Sequence, residues 1–335
     1  MPLNSATYGG AICNQKGAGT SSASYTNVIM WDDTATNGPE LYNGGATPTI
    51  SHSDIEGCMP SGVWDDVCGD DGGGNIDADP LFNTRSNTGG FTSTITLGLA
   101  SPAVDAGDDT TCGGYPVSGL DQRGITRPLD GDGDGAAVCD MGATESKYAI
   151  RTIRSLAADD GWVLESGENT SVGGTVDASD TTFRLGDNVK NRQYRAILSF
   201  STGSLPDNAE LVSVKLKIKQ SSLVGGNPFS DLGTLRIDMR RGTFGGGAAL
   251  TSGDFQAAAH RTNAGAIPNS PSSGWYTKSL SGANFGYINV KGKSQLRLYF
   301  ATGDNNNDAD DYFEFYSGDA ATSSKPKVII TYYAP

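Results

Sequence analysis

Acidic residues and cysteines are concentrated in the first part of this chain. Residues 1–147 contain 20 Asp and Glu against 5 Lys and Arg, whereas residues 148–335 contain 18 against 19. All five cysteines also lie before Lys147. A single domain seldom changes its composition so sharply, so the sequence predicts two domains, 1–147 and 148–335, each long enough to bury its own core.

Turn-forming residues interrupt the whole sequence. Glycine alone supplies 46 of the 335 residues, and Ser, Thr, Asn and Asp are abundant. The best helical window, residues 254–260, is two turns at most, which is too short to be stable alone. Short apolar runs between such turns predict an all-β protein.

Net charge and hydropathy exclude two classes of partner. The formal charge of −14 argues against nucleic acid and anionic membranes, because binding their phosphates needs clustered Lys and Arg. No apolar run reaches 18 residues, so we expect no membrane span.

The cysteines are expected to form disulfides. Cys58 and Cys68 flank a short loop, and Cys112 and Cys139 bracket a segment rich in Gly and Asp. Neither spacing is that of a zinc site, so we pair Cys58 with Cys68 and Cys112 with Cys139. Cys13 is then left free, and we expect it to be buried as a small hydrophobic residue.

Disulfides in an acidic chain are typical of an extracellular protein. The N-terminal residues do not resemble a secretion signal. We therefore expect that Met1 is an internal start and that a longer precursor lies upstream.

The first domain contains short apolar or β-branched runs between turns, at residues 10–14, 26–31, 40–43 and 48–55. None of these runs can close a core alone. Stacked in register, they would bury one another's inward side chains, and Asn side chains could pair along the stack. This pattern favours a right-handed parallel β-helix.

The sequences of several segments in this domain resemble those of a known family. SATYGGAICN, TNVIMWDDTA, PTISHSDIEG and GNIDADPLF resemble the C-terminal coils of secreted bacterial β-helix proteins, of the pectate-lyase-like and polymorphic outer-membrane kinds. LDQRGITRPLDGDGDGAAVCDMGATE resembles the closing segment of the choice-of-anchor Q type. The resemblance implies a bacterial surface or secreted protein and no particular activity.

Alternating aspartates in this closing segment raise the question of a metal site. Asp130, Asp132, Asp134 and Asp140 could together bind a structural Ca²⁺, because hard cations prefer several carboxylate oxygens. An EF-hand is excluded, since Met141 occupies the position of its bidentate Glu. A solvated acidic turn held by the second disulfide explains the pattern equally well.

A catalytic site in the first domain is not expected. Its paired aspartates are adjacent in sequence, so on a strand they point to opposite faces. Polysaccharide lyases of this fold need a long groove and a basic residue beside calcium. This domain contains only five Lys and Arg residues, and its few coils offer little length for a groove. The sequence therefore predicts no enzyme here.

The second domain alternates more clearly. Strands are predicted at residues 194–200, 211–219, 234–239, 294–300, 312–316 and 328–333, and Trp162 is predicted to lie in the core. Within 211–219 one face is apolar and is predicted to point inward, with Val212, Val214, Leu216 and Ile218. Lys215, Lys217 and Lys219 are predicted to face water. Eight or more such strands predict an antiparallel jelly-roll β-sandwich.

Several segments of this domain resemble a second family. DGWVLESGENTSVGG, FRLGDNVKNRQYRAILSFSTGSLPDNAELVSVKLKIK and SQLRLYFATGDNNNDADDYFEFYSGDA resemble the DNRLRE-type, carbohydrate-binding-module-like domain. The resemblance covers residues 148–335. It implies a jelly roll at the C-terminus of a secreted bacterial protein.

Two features of this domain could bind ligands. Asp304, Asp308, Asp310 and Asp311 lie on one loop. A hydrated turn is the simpler explanation, but the flanking strands fix the ends of this loop, which favours a structural Ca²⁺. Sugars stack on exposed aromatic rings, so the pair most accessible for glycan binding is Trp275 and Tyr276. Packing in the core is the alternative for both residues.

Three functions remain open. The preferred one is a non-catalytic extracellular adhesion protein, with a β-helix stalk and a terminal module that binds a polysaccharide or cell-surface glycan. The second is a subunit that self-associates into an extracellular filament through an exposed β-helix end. The third is the accessory C-terminal part of a polysaccharide lyase or glycosidase.

Overall fold

The computed structural model describes residues 4–16 and 23–334. The protein is all-β. It divides into two compact units, with unit 1 comprising Met1–Ala149 and Tyr333–Pro335, and unit 2 comprising Ile150–Tyr332. The division between Ala149 and Ile150 lies close to the change in charge and cysteine content after Lys147.

Unit 1 is built from short strands that pair in parallel. The strands of its first part are β1 (Ser5–Tyr8), β2 (Ile12–Gln15), β3 (Ser24–Thr26), β4 (Ile29–Met30), β5 (Thr34–Asn37), β6 (Leu41–Gly44), β7 (Thr49–Ser51), β8 (Asp54–Ile55) and β9 (Asp70–Asp71). The pairs are β1 with β5, β2 with β6, β3 with β7, β4 with β8, and β7 with β9.

Because the strands pair in parallel and in register, the apolar side chains of each turn of the chain pack on those of the next turn. Met30, Leu41, Ile50, Ile55 and Cys58 form one apolar cluster, contributed by successive turns. Asn side chains also pair along the stack, since Asn14 donates from Nδ2 to Oδ1 of its register partner Asn43 over 2.9 Å. This pairing is the kind that the sequence analysis expected.

Both predicted cysteine pairs are bonded. Cys58 and Cys68 have Cα atoms 6.0 Å apart, and Cys112 and Cys139 have Cα atoms 6.6 Å apart. Cys13 is free, but it is exposed, so the prediction that it is buried was wrong. The reason is strand alternation, because Cys13 follows the half-buried Ile12 on β2 and therefore points the other way.

Charged side chains organise the remainder of unit 1, which has little regular structure. The helix α1 (Asp109–Gly113) is capped by Asp108, whose carboxylate accepts from the N–H groups of Thr110 and Thr111. Arg127 donates from Nε to Glu145 over 2.9 Å, and both side chains are buried. This pair and the second disulfide hold a segment that lacks a continuous strand ladder.

Unit 2 contains one curled antiparallel sheet of twelve strands. They are β10 (Lys147–Arg154), β11 (Gly161–Glu165), β12 (Gly173–Asp177), β13 (Thr182–Asp187), β14 (Gln193–Phe200), β15 (Glu210–Val224), β16 (Leu235–Arg241), β17 (Arg261–Ile267), β18 (Trp275–Ser279), β19 (Ser294–Phe300), β20 (Asp311–Tyr316) and β21 (Lys327–Ala334). One short helix, α2 (Pro228–Asp231), follows β15.

The strand order places the long central strands beside one another. The main path of the sheet runs β10-β21-β15-β20-β13-β14-β19-β16-β17, with β11 paired to both β14 and β12 and with β18 beside β15. On β15 the residues Val214, Leu216 and Ile218 are buried, as the alternation predicted. Trp162 is 7% exposed, which agrees with its predicted core position.

A buried ion pair connects β16 and β19. Arg297 donates from Nη2 to Oδ2 of Asp238 over 2.5 Å. Its Nη1 donates to the carbonyl of Ala257 over 2.7 Å, and its guanidinium lies 4.8 Å from the ring centroid of Phe244. The hydroxyl of Tyr299 donates to the other oxygen of Asp238. One guanidinium therefore fastens a loop and two strands.

Among the residues that the structure describes, no helix is long and apolar enough to cross a membrane. The helical window at residues 254–260 contributes only to a short 3₁₀ segment, Ser252–Phe255.

Candidate functional sites

The acidic loop of unit 1 gathers a different set of carboxylates from the predicted one. Oxygen atoms of Asp105, Asp130 and Asp132 lie within 4.8 Å of one another. Asp105 was missed because it lies far from the DGDGDG segment in sequence. Burial is the largest cause of the rise in its pKa to about 6, and the charges of Asp132 and Asp130 add to it.

The other two predicted ligands are engaged elsewhere. Asp134 accepts a hydrogen bond from the N–H of Ala136 at the loop surface. Asp140 is completely buried and accepts from the N–H groups of Asp105 and Ser146, and burial raises its pKa to about 7. The four predicted carboxylates therefore do not converge, because Asp140 faces the interior.

Hydrogen bonds within the loop account for its acidic residues. Asp130 accepts from the N–H groups of Gly133 and Gly135, and Asp105 accepts from those of Gly131 and Asp132. These hydrogen bonds fix the shape of the acidic turn, and calcium binding by this loop stays a prediction.

The four predicted carboxylates on the loop between β19 and β20 of unit 2 fall into two pairs with different surroundings. Asp308 accepts from Nδ2 of Asn191 over 3.0 Å, and Asp310 accepts from the N–H of Val189 over 2.9 Å. These two side chains fasten the loop to the turn after β13. Asp304 and Asp311 are instead buried, at 8% and 2% exposure.

A further carboxylate, which the sequence analysis missed, lies beside the buried pair. Asp187 ends β13 and is completely buried. Its Oδ1 has no hydrogen-bond partner, and its Oδ2 accepts only a long bond of 3.4 Å from the N–H of Asn305. Burial raises the pKa of Asp187 to about 7, and the charges of Asp311 and Asp304 raise it further.

The predicted aromatic pair divides between the core and the surface. Tyr276 is 3% exposed, so its prediction as a ligand-binding residue was wrong. Its ring stacks on Phe229 and contacts Phe313 and Phe315 at their edges. The physical reason is that neighbouring residues of a strand face opposite sides, and Trp275 is the one that stays half-buried.

Trp275 lies in a cluster of cations, which we call the basic face. The Nζ atoms of Lys327 and Lys217 lie 4.3 Å and 5.4 Å from the centroid of the indole ring. Partial burial, followed by the charges of Lys217 and Arg154, lowers the pKa of Lys327. The basic face consists of Trp275, Arg154, Lys215, Lys217, Lys219 and Lys327.

The cations of the basic face are not neutralised within the described part of the chain. None of the five forms an ion pair there. Lys219 donates to the hydroxyl of Ser324 over 3.3 Å, which leaves its charge uncompensated. Such segregation of positive charge in an acidic protein marks a surface that attracts anions.

A carboxylate-lined cavity of about 420 Å³ lies in unit 1 beside the first disulfide. Glu40 is 3% exposed there, with Oε1 accepting from the N–H of Asp33 and Oε2 without a partner. Burial is the main cause of the rise in the pKa of Glu40 to about 7, and the carboxylates of Asp33 and Glu56 add to it.

Glu40→Gln is expected to stabilise unit 1 above neutral pH. Because the pKa of Glu40 is higher in the folded state, its contribution to stability is complete below about pH 4.5 and is lost as the pH rises through 7. We expect a gain of about 1–3 kcal/mol in the free energy of unfolding at pH 8 and little change at pH 4.5. Urea unfolding at both pH values measures this.

The matched control for this prediction is Asp65→Asn, which alters an exposed carboxylate at the same cavity. It should change the stability by less than about 0.5 kcal/mol. An equal effect of Glu40→Gln at both pH values would contradict the buried-charge explanation.

A scan against protein-family models finds no match for this chain, and a search of curated proteins finds no similar sequence. The two resemblances quoted in the sequence analysis therefore stay predictions that depend on those segments alone.

Proposed function

We propose that this chain belongs to a non-catalytic, extracellular bacterial adhesion protein whose unit 2 binds an anionic polysaccharide or cell-surface glycan. In this proposal unit 1 is the end of a right-handed parallel β-helix, of the choice-of-anchor Q type. Unit 2 is a jelly roll related to DNRLRE-type carbohydrate-binding modules. The parallel register of unit 1 and the curled antiparallel sheet of unit 2 support this division of roles.

The observation that carries the proposal is the basic face. A half-buried indole offers a flat apolar surface for a sugar ring, and neighbouring ammonium groups attract carboxylate or sulfate substituents. Lys217 and Lys327 both lie close to Trp275, so one glycan segment could engage all three side chains. The disulfides of unit 1 support an extracellular location.

Glycan binding is tested with polygalacturonate as the anionic probe and xylan as the neutral one. We expect Lys217→Gln combined with Lys327→Gln to weaken polygalacturonate binding roughly tenfold, and Trp275→Ala to weaken it by a similar factor. Binding of the parent protein should also weaken with salt, because exposed charges are screened. Isothermal titration calorimetry measures the affinities.

The matched control is Lys190→Gln combined with Lys291→Gln, which removes two exposed cations of unit 2 outside the basic face. If the control pair weakened polygalacturonate binding equally, the effect would be one of net charge. That result would contradict a binding site at Trp275. Turnover of either polysaccharide would contradict the non-catalytic assignment.

Self-association into a filament is the second candidate. The observation that favours it is charge complementarity between the basic face and the excess of carboxylates in residues 1–147. Light scattering after size exclusion distinguishes it from glycan binding. A filament subunit should form oligomers at low salt that dissociate at high salt and upon Lys217→Gln, whereas a glycan-binding module should stay monomeric in both conditions.

A further inference from the structure

We propose that a pocket at one end of the unit 2 sheet binds a single uncharged sugar residue through its hydroxyl groups. This polar pocket lies where β11 and β19 end and β14 begins, and its lining includes Glu165, Gln193, Arg195, Tyr299 and Asp304. Its volume is about 180 Å³, whereas pockets for drug-sized ligands measure about 300–1,000 Å³, so it suits one ring. The inference goes beyond the proposed function and does not depend on the basic face.

Strand pairing brings the lining residues together. Arg195 on β14 is the register partner of Val163 on β11. Glu165 and Gln193 are each two residues away from this pair, so they point to the same face of the sheet. The N–H of Gln193 donates to Oε2 of Glu165 over 3.3 Å, and the ring centroid of Tyr299 lies 5.0 Å from Cζ of Arg195. Three strands therefore contribute polar side chains to one pocket.

The first argument is a fixed guanidinium with unused donors. Nε of Arg195 donates to Oε1 of Gln193 over 2.6 Å, and Nη1 donates to the carbonyl of Phe255 over 2.9 Å. The ring centroid of Phe255 lies 4.0 Å from Cζ of Arg195. Within the described part of the chain, Nη2 has no hydrogen-bond partner and Arg195 forms no ion pair. Burial, followed by the charge of Arg297, lowers the pKa of Arg195 to about 10, so the group still carries its charge at neutral pH.

The second argument is a buried carboxylate without a partner. Asp304 lines the same pocket and is 8% exposed. Its carboxylate accepts no hydrogen bond from the described residues, and none of their Lys or Arg side chains forms an ion pair with it. Buried polar groups in proteins normally have hydrogen-bond partners. The polar pocket therefore offers an unused acceptor beside unused donors.

The third argument is that a sugar can use both kinds of group. A hydroxyl both donates and accepts, so adjacent hydroxyls can accept from Nη2 of Arg195 and donate to the carboxylate of Asp304. An anion suits the pocket less well, because the lining carries the carboxylates of Asp304 and Glu165 beside the guanidinium. An apolar ligand would leave these polar groups without partners.

The ring of Tyr299 adds an apolar surface to this lining. Its hydroxyl donates to Oδ1 of Asp238 over 3.1 Å, which fixes the position of the ring. Aromatic rings with an anchored polar end combine a flat apolar surface with a wet surrounding, which suits the carbon atoms of a sugar ring. Because the guanidinium and the phenol are already held by the chain, binding a sugar orders few further side chains.

Saturation-transfer difference NMR of the full chain with glucose, galactose, mannose and xylose, each added alone, tests the polar pocket. We expect at least one of them to bind with a Kd in the roughly millimolar range. Asp304→Ala should weaken this binding roughly tenfold, because it removes a charged acceptor. The variant should fold like the parent protein, since the carboxylate of Asp304 supports no other group of the described chain.

Arg195→Lys is the second variant and serves as the test if Asp304→Ala fails to fold. It keeps the positive charge but removes the donors of Nη2, so it should weaken monosaccharide binding by a similar factor. Asp319→Ala, which removes an exposed carboxylate of unit 2, is the matched control and should leave binding unchanged.

The polar pocket and the basic face are distinguished by their variants. Lys217→Gln combined with Lys327→Gln should leave the binding of monosaccharides unchanged, so a failure of one site does not imply a failure of the other. The proposal is overturned if none of the four monosaccharides binds, or if Asp304→Ala and Asp319→Ala have equal effects. It is also overturned if free alanine, a small zwitterion, binds at the polar pocket more tightly than every sugar.

Discussion

Tyr276→Ala is expected to lower the free energy of unfolding of unit 2 by about 3–5 kcal/mol. The side chain is 3% exposed and is surrounded by three phenylalanines, with ring centroids 5.4–6.0 Å away. Truncation would remove the stacking on Phe229 and leave a large cavity between β18 and β20. The neighbouring rings are held by dense packing on their other sides, so they cannot move far enough to fill this cavity.

Urea unfolding followed by circular dichroism measures this loss. Tyr276→Phe is the matched control, because it keeps the ring and removes only the hydroxyl, which donates to Gln220 over 3.2 Å. We expect the control to cost about 1 kcal/mol. A loss below about 1 kcal/mol for Tyr276→Ala would show that the ring is not part of the core.

Arg297→Met is expected to lower the free energy of unfolding by about 3–5 kcal/mol, because it leaves the negative charge of Asp238 buried without its ion-pair partner. Both side chains are at most 7% exposed. The substitution also removes the donors that hold the carbonyls of Asp254, Phe255 and Ala257. The 3₁₀ segment after Thr251 should then become more mobile, which hydrogen exchange measures.

A double-mutant cycle separates the ion pair from the packing. Asp238→Leu combined with Arg297→Met should cost clearly less than the sum of the single changes, since the double variant leaves no unpaired buried charge. Arg184→Met is the control, because its ion pair with Glu314 is partly exposed and should contribute less. Strict additivity of Asp238→Leu and Arg297→Met would show that the two groups do not interact.

The strands of unit 2 were largely predictable, because one buried face imposes strict alternation. The segment 294–300 coincides with β19, and 312–316 lies within β20. β15 is longer than predicted, since residues 220–224, which do not continue the alternation of 211–219, are also paired with β20. The predicted ranges omit β10, β13 and β18, and they also omit β12 and β17, whose glycine and polar residues carry little apolar pattern.

The candidate sites were less predictable, because they depend on contacts between distant residues. The acidic loop after β19 was visible in the sequence, but Asp187 lies more than 100 residues earlier and looks like an ordinary strand end. Asp105 escaped notice for the same reason. The error at Tyr276 was avoidable, since alternation allows only one of Trp275 and Tyr276 to face outward.

The first and last strands of unit 2 are neighbours in the sheet. Ser155, just after β10, donates its N–H to the carbonyl of Pro326, just before β21, over 2.9 Å. The two strands therefore run in opposite directions, and the chain arrives at unit 2 and departs from it at adjacent points. Such a unit can be transplanted into a loop of another protein, or circularly permuted with a short linker, without cutting its internal connections. A gene segment that encodes residues 147–334 would thus carry every strand of this sheet.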